Sequence, residues 1–405
     1  MRRLSRKIHR FMLGAALLVG ALSLGLLQVS TVAAQDVNLG ELARKIVKTS
    51  ANVKPGDVVV VSGGTHTIPL MEELAIQAQM VGGMPNLFLS SAKVTRSLFM
   101  DVPDRYLEQQ PAYYTEWLKH INVWIALPDV ENPKAVYGDV PEERFAKANK
   151  AFQVVMDSLN ASGVRVVNVG YPTKEDAAAY EVDYATYQKT HWDAVNADYQ
   201  QISEKGRRLK SMLHGAKTVR VTSPSGTNFA FSLADRPIFV DDGIATEERA
   251  KSKLFLSRIV SLPSGTVFFA PLETSAQGKV VVPKTRCRFA PMTGVSFEFK
   301  NGQLRNLKAD TGQACFEQSM APYSGQKDMF ASFDVGLNPA LKVMEEPGNY
   351  HPDGAAGLVW IGVGDNQLMA GRNKVEGQGG FSFPIVNATV EIDGKTVVKD
   401  GQLTF

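Results

Sequence analysis

Cysteine and histidine are scarce in this chain. Its 405 residues include two cysteines, Cys287 and Cys315, and six histidines. With no Cys-x-x-Cys pair and no dense Cys/His cluster, a structural zinc site is not expected. His351 is the last histidine, so no imidazole follows it. Gly-x-Ser-x-Gly and His-Glu-x-x-His are absent, as are the glycine spacings of Rossmann and P-loop nucleotide sites. A surplus of basic charge is also missing. The formal charge is +3, but residues 1–34 carry Arg2, Arg3, Arg6, Lys7 and Arg10 and no acid; beyond them 39 of the 44 basic residues face all 41 acidic ones, a net of −2. No RNA- or DNA-binding motif is present, so nucleic acid is not an expected partner. There is no internal repeat or low-complexity tract. With 44% apolar and 21% charged residues, collagen-like, coiled-coil and wholly disordered chains are excluded.

Residues 1–34 read as a signal peptide. The basic stretch Met1 to Arg10 precedes an apolar run from Phe11 to Val29, and Val32-Ala33-Ala34 places small residues before a cleavage point at Gln35. An exported, periplasmic or extracellular protein is expected, with no membrane attachment once the signal is removed. The apolar run is long enough to span a bilayer, so an uncleaved anchor is the alternative. Arg2-Arg3 alone does not decide the export route. In an oxidising compartment Cys287 and Cys315 are candidates for a disulfide, with two free thiols the equal alternative.

The remainder divides near residue 215. Over 35–215, helical and β-branched segments alternate. A helix is expected over 40–54, then the strand Val58 to Val61, a helix to about Met80, and strands at Leu87 to Leu89, Ile121 to Leu127 and Val164 to Val169, with a helix from Glu142 to Leu159. This is an α/β domain with a mostly parallel sheet. A long helical region over 174–213 carries Tyr180, Tyr184, Tyr187, His191, Val195, Tyr199 and Ile202 on one stripe. Such a stripe reads as core, and His191 on it as a satisfied core histidine. Over 216–405 short strands at 219–221, 229–233, 266–270, 279–282, 294–299, 357–363 and 389–393 alternate with Gly, Pro and Asn-Gly turns, and a helix falls within 304–320. That half is a strand-rich α+β domain. Gly63-Gly64-Thr65-His66 reads as a structural turn before a helix, and Tyr113 to Trp117 as an aromatic, packed helix.

Several segments, in order along nearly the whole mature chain, resemble the aminopeptidase T family of thermophilic, leucyl aminopeptidase-like metallopeptidases. Leu42 to Asp57 (LARKIVKTSANVKPGD) is similar to the family's opening helix and turn, and Leu209 to Ser223 to its bridging helix and following strand. Gly226-Thr227-Asn228-Phe229 resembles its Gly-Thr-Asp-Leu strand. Leu262 to Pro271 resembles its Pro-x-Gly-Glu-Val-Phe-x-Ala-Pro signature, and Val335-Gly336-Leu337-Asn338-Pro339 its Gly-x-Asn-Pro. The resemblance implies a homodimer with two divalent metals (zinc, cobalt or manganese) in the C-terminal domain, held by two glutamates, two histidines and an aspartate. Such hard ligands polarise a peptide carbonyl and activate water.

Those ligand types are what this chain lacks. The signature glutamate is replaced by Thr266, the glutamate before Gly-x-Asn-Pro falls near Ser332, and a histidine position falls on Trp360. The closing His-x-Asp falls on Phe383 to Val386, which offers no ligand. His351 and Asp353, with Glu345 or Glu346, are the only metal-like group left, and their Pro/Gly-rich surroundings read as an exposed loop. Asp365 and Glu273 read as ordinary acids near turns. The leading expectation is an aminopeptidase T-like fold with an eroded metal site and a binding or scaffold role for a peptide or small molecule. The alternatives are an active aminopeptidase with replacement ligands, and the superfamily branch that resembles iron-dependent ring-opening dioxygenases.

Overall fold

The run Val58-Val59-Val60-Val61 opens a strand hydrogen-bonded on both sides, with three of its four valines buried. Continuous β-branched residues suit that place because both faces of the sheet are covered. The computed structural model describes residues 37–405 apart from 347, 377 and 378, so the signal peptide over 1–34 lies outside the described residues. The strands in order are β1 (Val58–Gly64), β2 (Met84–Ser90), β3 (Val123–Ala126), β4 (Arg165–Val169), β5 (Thr218–Thr222), β6 (Asn228–Ser232), β7 (Ile238–Asp241), β8 (Ile259–Leu262) and β9 (Thr266–Phe269). They continue as β10 (Gln277–Cys287), β11 (Ala290–Lys300), β12 (Gln303–Lys308), β13 (Phe330–Gly336), β14 (Val359–Gly364), β15 (Gly380–Ile385), β16 (Thr389–Ile392), β17 (Lys395–Lys399) and β18 (Gln402–Leu403).

Three sheets result. The first is parallel, in the order β2-β1-β3-β4-β8. Its fifth strand comes from residues 259–262, beyond the division near 215, and Asp36–Phe405 packs as one unit. The second sheet has eight strands, β12-β11-β10-β6-β5-β16-β17-β18, and the third has five, β15-β14-β13-β9-β7. The mixed α/β character and the strand-rich second half both match the sequence pattern.

Phenylalanines from the second and third sheets meet in a shared core. Phe297 lies 4.8 Å from Phe383 and Phe231 lies 5.1 Å from Phe333, ring centre to ring centre, all four fully buried. Tilted aromatic pairs at these distances add about 0.5–1.5 kcal/mol each beyond area burial. Burying one face of β9, β13, β14 and β15 in this way turns the alternate residues outward, and that outer face carries the site.

The helix expected within 304–320 is present over Gln313–Met320, after Gln303–Lys308 returns as β12 against β11. The turn between them uses Asn301 (φ 52°) and Gly302 (φ 75°), and a Cβ on Gly302 would sit 1.6 Å from the Glu273 carbonyl oxygen. The helical region 174–213 is three helices, Lys174–Ala179, Tyr184–Val195 and Tyr199–Leu213, the last two opened by Asp183 and Asp198 side chains that accept backbone N–H bonds at 2.8 and 2.9 Å. An Asp at the N-cap satisfies the first free N–H groups of a new helix, and periodicity alone does not register the break. The helix over 40–54 is regular only from Leu39 to Lys45 and widens over Ile46–Ser50.

Candidate functional site

On the outer face of the third sheet, register aligns the residues that the family pattern singled out. Asp241 on β7 stands opposite Thr266 on β9, which stands opposite Gly336 on β13. In the next row Phe268, Asp334, Trp360 and Pro384 lie side by side, and Ser332, Gly362 and Ser382 form the row beyond. Thr266, Ser332 and Trp360, which the resemblance sets at ligand positions, therefore do share one surface. Asp334, two residues from Ser332 and on the same face, is the acid that the sequence reading missed. The signal for it was the strand's alternation: Phe333 and Val335 are buried, so Asp334 had to face the other way.

Two adjoining cavities of about 520 and 430 Å³ cover this face and share Pro263, Asp334 and Asp353. Both are of small-molecule size. The first is lined by Asp241, Thr266, Phe268, Ser332 and Asp365; the second by Tyr180, Tyr187, His191, Tyr350, His351 and Trp360. The far wall is the helix Tyr184–Val195, which presents Tyr187 and His191 one turn apart. Asn338 anchors that helix: its side-chain amide donates to the Ala194 carbonyl at 3.1 Å and the Ser264 carbonyl at 2.8 Å.

The segment with His351 and Asp353 is only in part the solvated turn that its composition suggested: Asp353 is exposed on a turn, whereas His351 is buried. Met344 and Tyr350 exchange two backbone hydrogen bonds of 2.9 Å, and Asn349 bonds the carbonyls of Tyr180 and Thr285, each at 2.8 Å. His351 is buried with Nε2 3.3 Å from Glu345 Oε1. Glu346 turns away to Lys284 at 2.5 Å. Asp353 faces both cavities. His351, Asp353, Glu345 and Glu346 thus do not converge on one point.

Burial sets the charge of the cavity's acids. It pushes the Asp334 carboxyl up to about 8, with the nearby Asp353 adding to the rise. It raises Asp241 to about 7 even though Arg249 and the Ser261 N–H, 2.8 Å away, oppose the shift. None of the three forms an ion pair within 4.0 Å of a described basic residue. Burial also lowers His191 to about 4, so its imidazole is neutral. The expectation of a satisfied core histidine holds only in part: His191 is 6% exposed, but its Nε2 has no hydrogen-bond partner. Trp360 Nε1 and Asp241 Oδ1 are also unpartnered.

Glu273 was underrated as well. It is buried, and Arg236 grips both carboxylate oxygens at 2.7 and 2.8 Å, with the Arg372 N–H at 2.6 Å and the Asn366 amide at 3.1 Å. Burial would raise this carboxyl, but these donors outweigh it and hold it down at about 2. Glu273 is a structural ion pair beside the site. Asp365 accepts the Val375 and Gln367 N–H groups and borders the first cavity. Cys287 and Cys315 are joined in a disulfide that ties β10 to the helix Gln313–Met320. Gly63–His66 makes the strand-to-helix turn expected of it. Trp117 packs against Phe88 and Trp124, although Tyr113 in the same helix is exposed.

The profile of the family described as thermophilic metalloprotease (M29) matches residues 35–328. The chain belongs to the M29 family. Among solved structures it is similar to wild-type AmpT from Thermus thermophilus, at 14% identity and a TM-score of 0.67, covering 91% of this chain and 99% of that one. It is also similar to 2,5-dihydroxypyridine dioxygenase from Pseudomonas putida KT2440, at 15% identity and a TM-score of 0.56, covering 90% of this chain and 96% of that one. At these identities both likenesses concern the fold. No curated protein sequence matches the chain.

M29 metallopeptidases work with divalent metals, and the residues that the resemblance sets at the family's ligand positions do not fit such a pair. Thr266 and Ser332 offer hydroxyls in place of carboxylates, and Trp360 offers an N–H without a lone pair. Ser382 and Pro384 occupy the outward positions of β15. Among the described residues no three His, Cys, Asp or Glu side chains are grouped as metal ligands.

Proposed function

We propose that this M29-family chain is an exported binding protein rather than a metallopeptidase, holding a small molecule or peptide end in the cavity where the family's resemblance locates its metal pair. The observation that carries the reading is the row Asp334–Trp360 with Thr266 and Ser332 beside it: one acid, one indole and two hydroxyls in place of a ligand set. The cavity volume, the aromatic wall and the unpartnered polar atoms support a ligand of small-molecule size. A periplasmic or extracellular location rests on the pattern over 1–34, and homodimer formation on the family resemblance.

The test is hydrolysis of leucine and alanine anilides by the mature protein, with zinc, cobalt or manganese added and with a chelator. The proposal expects no release of anilide under any of these conditions. Metal-dependent turnover that the chelator abolishes would overturn it and establish the active aminopeptidase with replacement ligands.

A further inference from the structure

We infer that the free edge of β2 is the surface on which a second copy of this chain docks, joining two parallel sheets into one across a two-fold axis. The inference rests on the homodimer reading above and assigns its surface; the binding reading stands apart from it.

The edge is open and unguarded. β2 ends the first sheet and, among the described residues, pairs with β1 alone. Met84 donates to the Asp57 carbonyl at 2.8 Å on the β1 side, so alternation turns the backbone groups of Pro85, Leu87 and Leu89 outward. Edge strands of monomers are commonly protected by charge, proline or a cover. Met84–Ser90 carries no charged side chain, five of its seven residues are exposed, and Pro85 blocks only the first outward position. The opposite edge strand of the same sheet, β8, has no exposed residue. The surface beside the edge is apolar on both faces. Met84 and Phe88 project to one face and Leu87 and Leu89 to the other, all four 42–56% exposed. Ile76 and Met80, one turn apart on the helix Ile68–Met80 that packs against β2, are 47% and 77% exposed. These six side chains expose roughly 600 Å², whereas one side of a standard interface covers about 800 Å², of which about 450 Å² is apolar. The patch alone thus meets the apolar area that a stable dimer needs.

A second copy suits this edge because the edge complements itself. An antiparallel copy about an axis through Phe88 sets Leu87 opposite the partner's Leu89, and Leu89 opposite the partner's Leu87. Each such pair exchanges two N–H···O bonds, which uses both outward donors of β2 and leaves Pro85, which has none, outside the pairing. With no charge on the strand, no like charges meet across the axis. The first cavity is lined by Ile259 and Ser261 of β8, at the other end of the strand order, so the dimer leaves the cavities of both copies open.

Sedimentation velocity of the mature protein over a concentration series tests the inference, and a dimer is expected. Leu87→Lys and Leu89→Lys place on the edge the residue that guards edges elsewhere, and each should weaken self-association at least about tenfold. Both leucines are more than half exposed, so the variants should keep the wild-type Tm. Phe88→Cys gives an independent reading that does not depend on those variants folding. A pair on the axis has Cα atoms about 4.5 Å apart, within disulfide reach, so mild oxidation should link two chains. Lys395→Cys, exposed on β17 of the second sheet, should not link them. A dimer that folded lysine variants leave intact, or that Phe88→Cys does not link, would overturn the inference alone and put the homodimer's contact elsewhere. A monomer at every concentration would overturn the homodimer reading with it. A monomer that binds anionic phospholipid vesicles, and loses that binding in Leu89→Lys, would overturn it in favour of a membrane surface. Anilide hydrolysis, which tests the proposed function, is read separately from all of these.

Discussion

Asp334 and Trp360 stand opposite each other across the antiparallel pair β13–β14. The carboxyl is pushed up to about 8 by burial and by Asp353, and the indole N–H has no partner. Two neighbouring side chains, one acidic and one a pure donor, thus mark the middle of the cavity.

The first prediction concerns pH. In the unfolded chain Asp334 loses its proton near pH 4, whereas in the fold it keeps it to about pH 8. The unfolded state therefore binds fewer protons between these values, and stability falls as pH rises through that window. Asp241, held near 7, acts in the same direction. Asp334→Asn should flatten the dependence of Tm on pH, matching the wild type at the acid end and exceeding it by a few degrees at about pH 8. Thermal melts across the window decide it; parallel curves would contradict the assignment.

The second prediction concerns Glu273 and Arg236. Their side chains are 6% and 9% exposed, so removing one leaves a charge buried without its partner. Arg236→Met should cost about 3–5 kcal/mol, read by denaturant unfolding. Because Glu273 is held at about 2, its contribution is complete above its unfolded value and disappears only as pH falls through about 2. A loss below about 1 kcal/mol would show the pair to be dispensable.

The third prediction concerns the disulfide. Non-reducing peptide mapping should link the Cys287 and Cys315 peptides. The bridge closes 28 residues, and reduction should cost about 3 kcal/mol. Two free thiols in protein from an oxidising compartment would contradict the pairing.

Much of the fold was legible because it depends on alternation and β-branched runs. Val58 to Val61 and Val164 to Val169 announce buried parallel strands, and Gly-x-Asn-Pro marks the bend that Asn338 fixes. The fifth strand of the first sheet was not legible, because only long-range pairing reveals that Ile259–Leu262 returns to β4. At the site, Thr266 and Trp360 were singled out by the family resemblance, and the register places both on one face. The burial of His351 was not legible. A Pro/Gly-rich segment gives no sign that backbone bonds such as those between Met344 and Tyr350 bury His351 while Asp353 stays exposed. Likewise, nothing local distinguishes a paired Glu273 from an exposed one.

The fourth prediction concerns export. Protein recovered outside the cytoplasm of cells expressing the full chain should begin at Gln35 on N-terminal sequencing. An intact Met1 would support the uncleaved anchor.

The most direct test of the central claim is the metal content of the purified mature protein, measured by elemental analysis after expression with zinc, cobalt and manganese supplied. A carboxylate-and-imidazole set is needed to hold two ions tightly, and Thr266, Ser332 and Trp360 do not supply one. The account predicts far less than one metal per chain. Two tightly held ions per chain would contradict it and would make His351, Asp353, Glu345 and Glu346 the first residues to replace with alanine.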